Sequence, residues 1–304
     1  MDYLLLFTLG ALWGGAPLLV KLTVAEVPAL TQVAYRLVLS AGILWGVVRV
    51  QGLAMPRQRQ TWIDYAIMGL FNVALPYSLV SWAVQYMPSG LAAMLHATTA
   101  IFAVLLAHFF TADERLSLTR LAGVIAGFVG VGLQMLPSLS GGLQASLWPQ
   151  LAVIAASFGF AATAIFARNR FRGQHPLVSA AGMITMGAAW MLPASLIVDG
   201  PLGAPPSLPV LGAWLGLAIL SSALAQIIYL SLIARTSATF ALMVTYLMPV
   251  SGLILGALVL GEPLGPTVLA SLALILLGIF LVNRPPKRDT LGRPKPDSYA
   301  LPGR

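Results

Sequence analysis

The sequence predicts an all-α polytopic membrane protein, with ten transmembrane helices arranged as two inverted five-helix repeats. Three observations carry that expectation. The chain is a succession of apolar stretches of spanning length, its positive charge falls on alternate connections, and its two halves align without a gap.

Composition comes first. Of the 304 residues, 59% are hydrophobic and 9% charged, against about 25% charged in an ordinary soluble domain. So few charges cannot coat a water-facing surface, so lipid is the solvent for most of the chain. The apolar stretches run at about 3–22, 28–49, 61–85, 89–111, 119–136, 147–168, 176–198, 209–233, 237–260 and 266–283. Each is long enough to cross the hydrocarbon core as a helix. The connections after even-numbered spans, with the span ends beside them, collect Arg49, Arg57, Arg59, Arg115, Arg120, Arg168, Arg170, Arg172 and Arg235, and the tail adds six more. Across the membrane stands Lys21, and Arg36 alone lies well inside a span. By the positive-inside rule both termini are expected in the cytoplasm of a multi-pass inner-membrane protein. The net charge of +8 is therefore topological and implies no nucleic acid. The chain has no cysteine, which excludes disulfides, thiolate catalysis and Cys-ligated metals. Met1-Asp2-Tyr3 runs into apolar residues without a basic leader, so the start reads as a retained first helix.

The repeat follows from a shift of 148 residues, which lays 89–136 on 237–284. Ser89 meets Ser237, Glu114 meets Glu262, Thr119 meets Thr267 and Gly130 meets Gly278, while Pro28 meets Pro176. Leu and Ala coincidences are cheap in apolar segments; the Ser, Glu, Thr and Gly matches in one frame carry the weight. Five helices per copy is an odd number, so the second copy is expected to be inverted. Such repeats characterise secondary transporters with a midplane site. The expected division is 1–136 for the first repeat, 137–146 for an external linker, 147–283 for the second repeat and 284–304 for a disordered cytoplasmic tail.

Each half resembles an EamA-type unit of the drug/metabolite transporter (DMT) superfamily. The resemblance rests on Trp13-Gly14 with Lys21 in the first span, Arg36 in the second and Ser89-Gly90-Leu91-Ala92 opening the fourth. Ala112-Asp113-Glu114-Arg115-Leu116 follows, and in the second copy Pro249 and Leu260-Gly261-Glu262-Pro263-Leu264. The first copy departs from the pattern, with Ala100-Ile101-Phe102 where a proline is usual. The resemblance implies that spans 1–4 and 6–9 surround a cavity while spans 5 and 10 are peripheral. It also implies transport of small metabolites, often export, and is nearest to amino acid exporters of the YddG type.

Candidate site residues follow from polarity at depth. Arg36 lies eight residues into its span, ~12 Å deep at 1.5 Å per residue. An isolated intramembrane Arg costs about 2.5–3.5 kcal/mol on insertion scales, so it must face a cavity or an internal partner. Its functional reading is a seat for a substrate carboxylate; its structural reading is a bond to helix-end carbonyls. The equivalent residue, Ile184, shows that the fold does not require the charge. Lys21, near Glu26, marks the external mouth, either drawing anions or snorkelling at the interface. His96 is a candidate proton carrier or a neutral partner for Tyr77, Trp82 or Gln85. No carboxylate lies deep in a span, which favours facilitated diffusion or exchange. Trp13, Asn72, Tyr77, Trp82, Gln85 and Thr99 in the first copy, with Phe158, Phe160, Gln226, Tyr229, Thr245 and Tyr246 in the second, supply the aromatic walls and few polar groups of a small-molecule site. Ordinary packing and an interfacial aromatic belt are the competing reading. Glu114 and Glu262 are expected to place charge near the helix that follows each. The GxxxG pairs Gly10/Gly14, Gly123/Gly127 and Gly252/Gly256 should serve close packing within the monomer, favoured over a dimer.

No nucleotide-binding loop, metal cluster or nucleophile elbow is present, so neither enzyme nor cofactor is expected. The function expected is a secondary transporter, foremost an amino acid exporter. A carrier of sugar phosphates or other organic anions and a non-transporting assembly subunit are the alternatives. The expected partners are a small-molecule substrate and the bilayer.

Overall fold

Prolines and glycines punctuate the chain into ten helices. The computed structural model describes residues 1–110, 117–139, 144–171, 173–201, 203–235 and 243–283. All regular structure among these residues is helical. The first helix, α1, is broken at Gly15 into Asp2–Gly14 and Ala16–Thr23. Pro28 caps α2, Ala29–Val50. Helix α3 runs as Arg59–Met68, a π-helical segment Gly69–Ala74, and Leu75–Ala83. Pro88 caps α4, which breaks at Ala97 into Ser89–His96 and Thr98–Phe110. Helix α5 is Leu118–Leu139 and α6 is Gln144–Arg170. Pro176 opens α7, Pro176–Val198, using a position where the missing N–H costs nothing. Helix α8 repeats the pattern of α3, with Leu208–Gly216, a π-helical Leu217–Leu224 and Ala225–Arg235. Helix α9, Val244–Leu260, ends at Gly261, whose φ of 64° is a left-handed cap natural to glycine. Pro266 opens α10, Pro266–Val282. Of the ten, α1 to α8 contain stretches long and apolar enough to cross a membrane, while α9 and α10 are shorter apolar helices.

The expected ten-helix architecture is present, with differences in detail. Spans 1 and 4 were expected to be continuous and are broken. The third starts at Arg59 and the sixth at Gln144, each earlier than its apolar run, because polar residues join the first turn. The start of the expected ninth span (237–242), Glu114, residues 140–143 and the tail 284–304 lie outside the described residues.

The packing repeats itself. Helix α2 pairs with α7, α4 with α9 and α5 with α10, each with its own counterpart. The remaining contacts exchange: α1 packs on α9 as α6 packs on α4, and α3 packs on α6 as α8 packs on α1. Helices α5 and α10 sit together at the periphery, where Gly123, Gly127 and Gly278 bring their backbones close. Gly10, Gly14, Gly252 and Gly256 do the same for α1, α9 and α4, so the three GxxxG pairs named above pack inside the chain, whereas Gly42 and Gly46 meet nothing within 4 Å. Side chains such as Phe7, Phe71, Ile125 and Leu258 remain exposed, as lipid-facing residues should.

Polar bonds join the two halves at both ends. On the face carrying Lys21, Asp199 Oδ2 accepts from Thr31 N at 2.7 Å and from its hydroxyl at 2.9 Å. Glu26 accepts from Ser207 N and Oγ, each at 2.7 Å. On the arginine-rich face Tyr65 donates to Gln174 Oε1 at 2.7 Å, and buried Asp64 lies 3.9 Å from Arg170.

Candidate substrate cavity

A cavity of about 380 Å³ lies among α1–α4 and α6–α9. The course of α4 creates it. Its first half packs on α9, with Gly90 against Leu253 and Gly256 and with Ala93 against Gly252. Beyond Ala97 its second half packs on α6 instead. The cavity fills the gap, with Ala97, Thr99 and Ala100 on one wall and Val244, Thr245 and Met248 on another. Hydroxyls stabilise the break: Thr98 donates to Leu95 O at 2.7 Å and Thr99 to His96 O at 2.8 Å.

Among the described residues, Arg36 is the only Lys or Arg lining the cavity, His96 is its one imidazole, and no acidic residue lines it. Its side chain is buried, at 5% exposure. Nε donates to Ser222 Oγ at 2.9 Å, and the guanidinium carbon stands 4.3 Å from the centre of the Tyr77 ring. The ring face attracts the cation without neutralising it. Trp13 donates to Ser221 O at 3.2 Å and lies 5.2 Å from the Tyr229 ring. Asn72 donates to Thr163 Oγ1 at 2.7 Å, which leaves its carbonyl oxygen as an acceptor. His96 meets the Phe160 ring edge-on at 4.9 Å.

Trp13, Arg36, Asn72, Tyr77, His96, Thr99, Phe160, Gln226, Tyr229 and Thr245 all line the cavity. Trp82, Gln85, Phe158 and Tyr246 do not. Helical phase is the reason for three of them: Trp82, Phe158 and Tyr246 are each turned well away from a lining neighbour (Tyr77, Phe160 or Thr245) on their own helix, while Gln85 lies in the turn beyond the end of α3. Trp82 is exposed beside Tyr86, Gln85 bonds back to Ser81 O, and Phe158 meets Phe102. Tyr246 donates to Ile279 O on α10 at 3.0 Å. His96 bonds none of its three expected partners; Tyr77 touches Arg36 and Phe160, and the other two point elsewhere.

Lys21 does not pair with Glu26, which serves Ser207. Its ammonium donates to Met87 O at 2.9 Å and lies 3.4 Å from Glu262. Glu262 in turn does not serve the helix that follows it. It reaches across to the start of α4, accepting from Ser89 N at 2.6 Å, Ser89 Oγ at 3.0 Å and Gly90 N at 2.9 Å. Burial pushes this carboxyl up, but the Gly90 and Ser89 donors with Lys21 outweigh it and hold it below its ordinary 4.5. Glu262 thus ties the start of α4 to the end of α9 on the Lys21 face.

Ser221, Ser222, Met183, Ile184 and Met248 also line the cavity and were not anticipated. The two serines belong to the π-helical segment of α8, which starts at Leu217, the repeat equivalent of Gly69 in α3. Such widened turns recur at functional sites. The available signal was a serine pair in the middle of an apolar span.

A central cavity with one buried cation, between two interlocked sets of membrane helices, defines a polytopic membrane transport protein. Residues 1–136 and 147–284 each match the EamA-like transporter family, and the chain belongs to that family. It is 26% identical over 279 residues to the uncharacterized inner membrane transporter YedA of Escherichia coli, covering 91% of this chain and 89% of that one. It is 29% identical over 277 residues to a probable terminal-alkyne amino-acid exporter of Streptantibioticus cattleyicolor, covering 90% and 86%. A solved crystal structure superposes with a TM-score of 0.66 at 18% identity, covering 92% of this chain and 96% of that one, a likeness of fold.

Proposed function

We propose that this transporter carries small carboxylate-bearing metabolites, amino acids foremost, out of the cell across the inner membrane. The observation that carries the reading is Arg36: a buried cation facing a cavity that, among the described residues, has no acidic lining. A substrate carboxylate would supply the counter-ion that the described residues do not, with the strength of a charge-assisted pair. Neutral acceptors, such as the Asn72 carbonyl, and the faces of Trp13 and Tyr229 suit an α-ammonium group. Asn72, Tyr77, His96, Thr99, Phe160, Gln226 and Thr245 complete the walls. One guanidinium matches one monoanion better than a phosphate dianion, so the amino acid reading ranks above that of organic phosphates.

Transport proceeds by alternating access. The Glu262 clamp holds the Lys21 face shut, and the two inverted halves rock to open it. The positive-inside rule puts the arginine-rich face and both termini in the cytoplasm. Export agrees with the name of the Streptantibioticus relative, and the inner membrane with that of YedA. The monomer contains the whole cavity.

The test is uptake of labelled amino acids by purified protein in liposomes, with and without a pH gradient, beside Arg36→Ala. Saturable flux lost in the variant supports the reading. Flux of phosphorylated metabolites alone would overturn it. Dependence on the gradient would return His96 to contention as a proton carrier.

A further inference from the structure

Arg36 uses one of its five N–H donors within the protein. Nε binds Ser222 Oγ, and no other bond from the guanidinium occurs among the described residues. A carboxylate can dock on a guanidinium in two bidentate ways: side-on, through Nε and one Nη, or end-on, through both Nη groups. The Ser222 bond occupies Nε and so excludes the side-on mode. The Tyr77 face at 4.3 Å fixes the plane of the group. What remains is the end-on fork.

The segment that carries Ser222 is itself tied to α2. Ser40 Oγ donates to Arg36 O at 2.7 Å within α2 and lies 3.1 Å from Ala218 O, one turn before Ser222 in the π-helical segment. Helix α2 thus meets α8 at two points, Ser40 on Ala218 O and Arg36 on Ser222. The neighbouring Ser221 bonds Leu12 O at 3.0 Å, so two successive side chains of the segment serve different helices.

We infer that Ser222 is a positioning residue. It holds Arg36 so that the substrate carboxylate is received end-on by the two Nη groups, and it makes the second repeat a participant in a contact that the first repeat's cation provides. This inference rests on the carboxylate reading of the cavity.

The experiment is a double-mutant cycle on the full chain, with labelled L-phenylalanine and L-phenylalaninamide as probes; the amide lacks the carboxylate. Ser222→Ala should weaken phenylalanine binding about five- to tenfold, the scale of a lost hydrogen bond to a charged group. It should leave phenylalaninamide within about twofold and raise KM more than it lowers kcat. Ser222→Thr, which keeps the hydroxyl, should restore affinity. In an Arg36→Ala background, Ser222→Ala should have no further effect. Equal weakening of both probes, or a loss that persists without Arg36, would overturn the positioning role. Wild-type protein that does not distinguish the two probes would instead sink the carboxylate reading. If Ser222→Ala lowers the melting temperature, the comparison of Ser222→Thr with Ser222→Val decides, since these differ in the hydroxyl alone.

Discussion

Helices α2 and α7 occupy equivalent places in the two repeats, pack on one another, and both reach the cavity. At the same repeat position one presents Arg36 and the other Ile184. The backbone scaffold is therefore symmetric where the chemistry is not. Symmetry builds the fold and the pair of matched π-helical segments; departures from symmetry build the site. A second buried cation would lack a partner, since the described residues lining the cavity include no carboxylate to hold one.

Making the repeats alike should have the largest effect. Arg36→Ile should lower kcat/KM for carboxylate substrates at least about hundredfold, a cost of about 2.7 kcal/mol, while leaving the melting temperature unchanged or higher. Removing a buried, uncompensated charge is neutral or stabilising. A fall in stability to match the loss of flux would make Arg36 structural. Ile184→Arg tests the same symmetry from the other side. A second intramembrane cation should cost about 2.5–3.5 kcal/mol, read as reduced membrane-inserted yield. Undiminished yield would show that the second repeat tolerates a charge.

The α4–α9 pair, joined through Glu262, offers a further test. Glu262→Gln should destabilise the clamp by about 1–2 kcal/mol, the range of a helix cap. It should also speed labelling of a cysteine placed at Ala93, a clean probe because the chain has no other cysteine. Unchanged labelling would mean that glycine packing alone closes this face. The carboxyl is depressed below 4.5, so its contribution is complete above that pH and lost as pH falls through the folded value. Thermal stability should decline on acidification below pH ~4.5 in the wild type, and less so in Glu262→Gln. Smallest of all is Gly132→Ala. A methyl there meets nothing within 4 Å, and stability should rise by about 0.5–1 kcal/mol, the helix-propensity gain of Ala over Gly. Gly252→Ala, crowded by Ala93 and Gly14, should instead lower stability in the same melting assay.

Much of the architecture was legible because lipid imposes simple demands. Apolar length gave the helices, and the one-frame match gave their kinship. Depth alone singled out Arg36, since a charge so far from either interface must face polar surroundings. What stayed hidden was phase. Trp82 and Phe158 are aromatic and deep enough, yet a residue or two of rotation turns them away from the cavity. Ser221 and Ser222 escaped notice because a widened turn leaves no local mark in composition. The Lys21–Glu262 contact joins residues at opposite ends of the chain, and only the crossing of α1, α4 and α9 brings them together.

The matched π-helical segments have a consequence for deletions. A π turn holds one residue more than an α turn, so the surplus is absorbed within the turn. Removing one residue from Gly69–Ala74 would let α3 relax into an unbroken α-helix with Tyr77 kept in phase, whereas removing one from Leu75–Ala83 ahead of Tyr77 would swing it roughly 100° about the axis, the step of one residue at 3.6 per turn. Removing one from Leu217–Leu224 would spare Gln226 and Tyr229 in the same way. Each segment is thus a phase buffer: a point where a single codon lost would keep both the helix and the aim of its wall, while the same loss nearby would not.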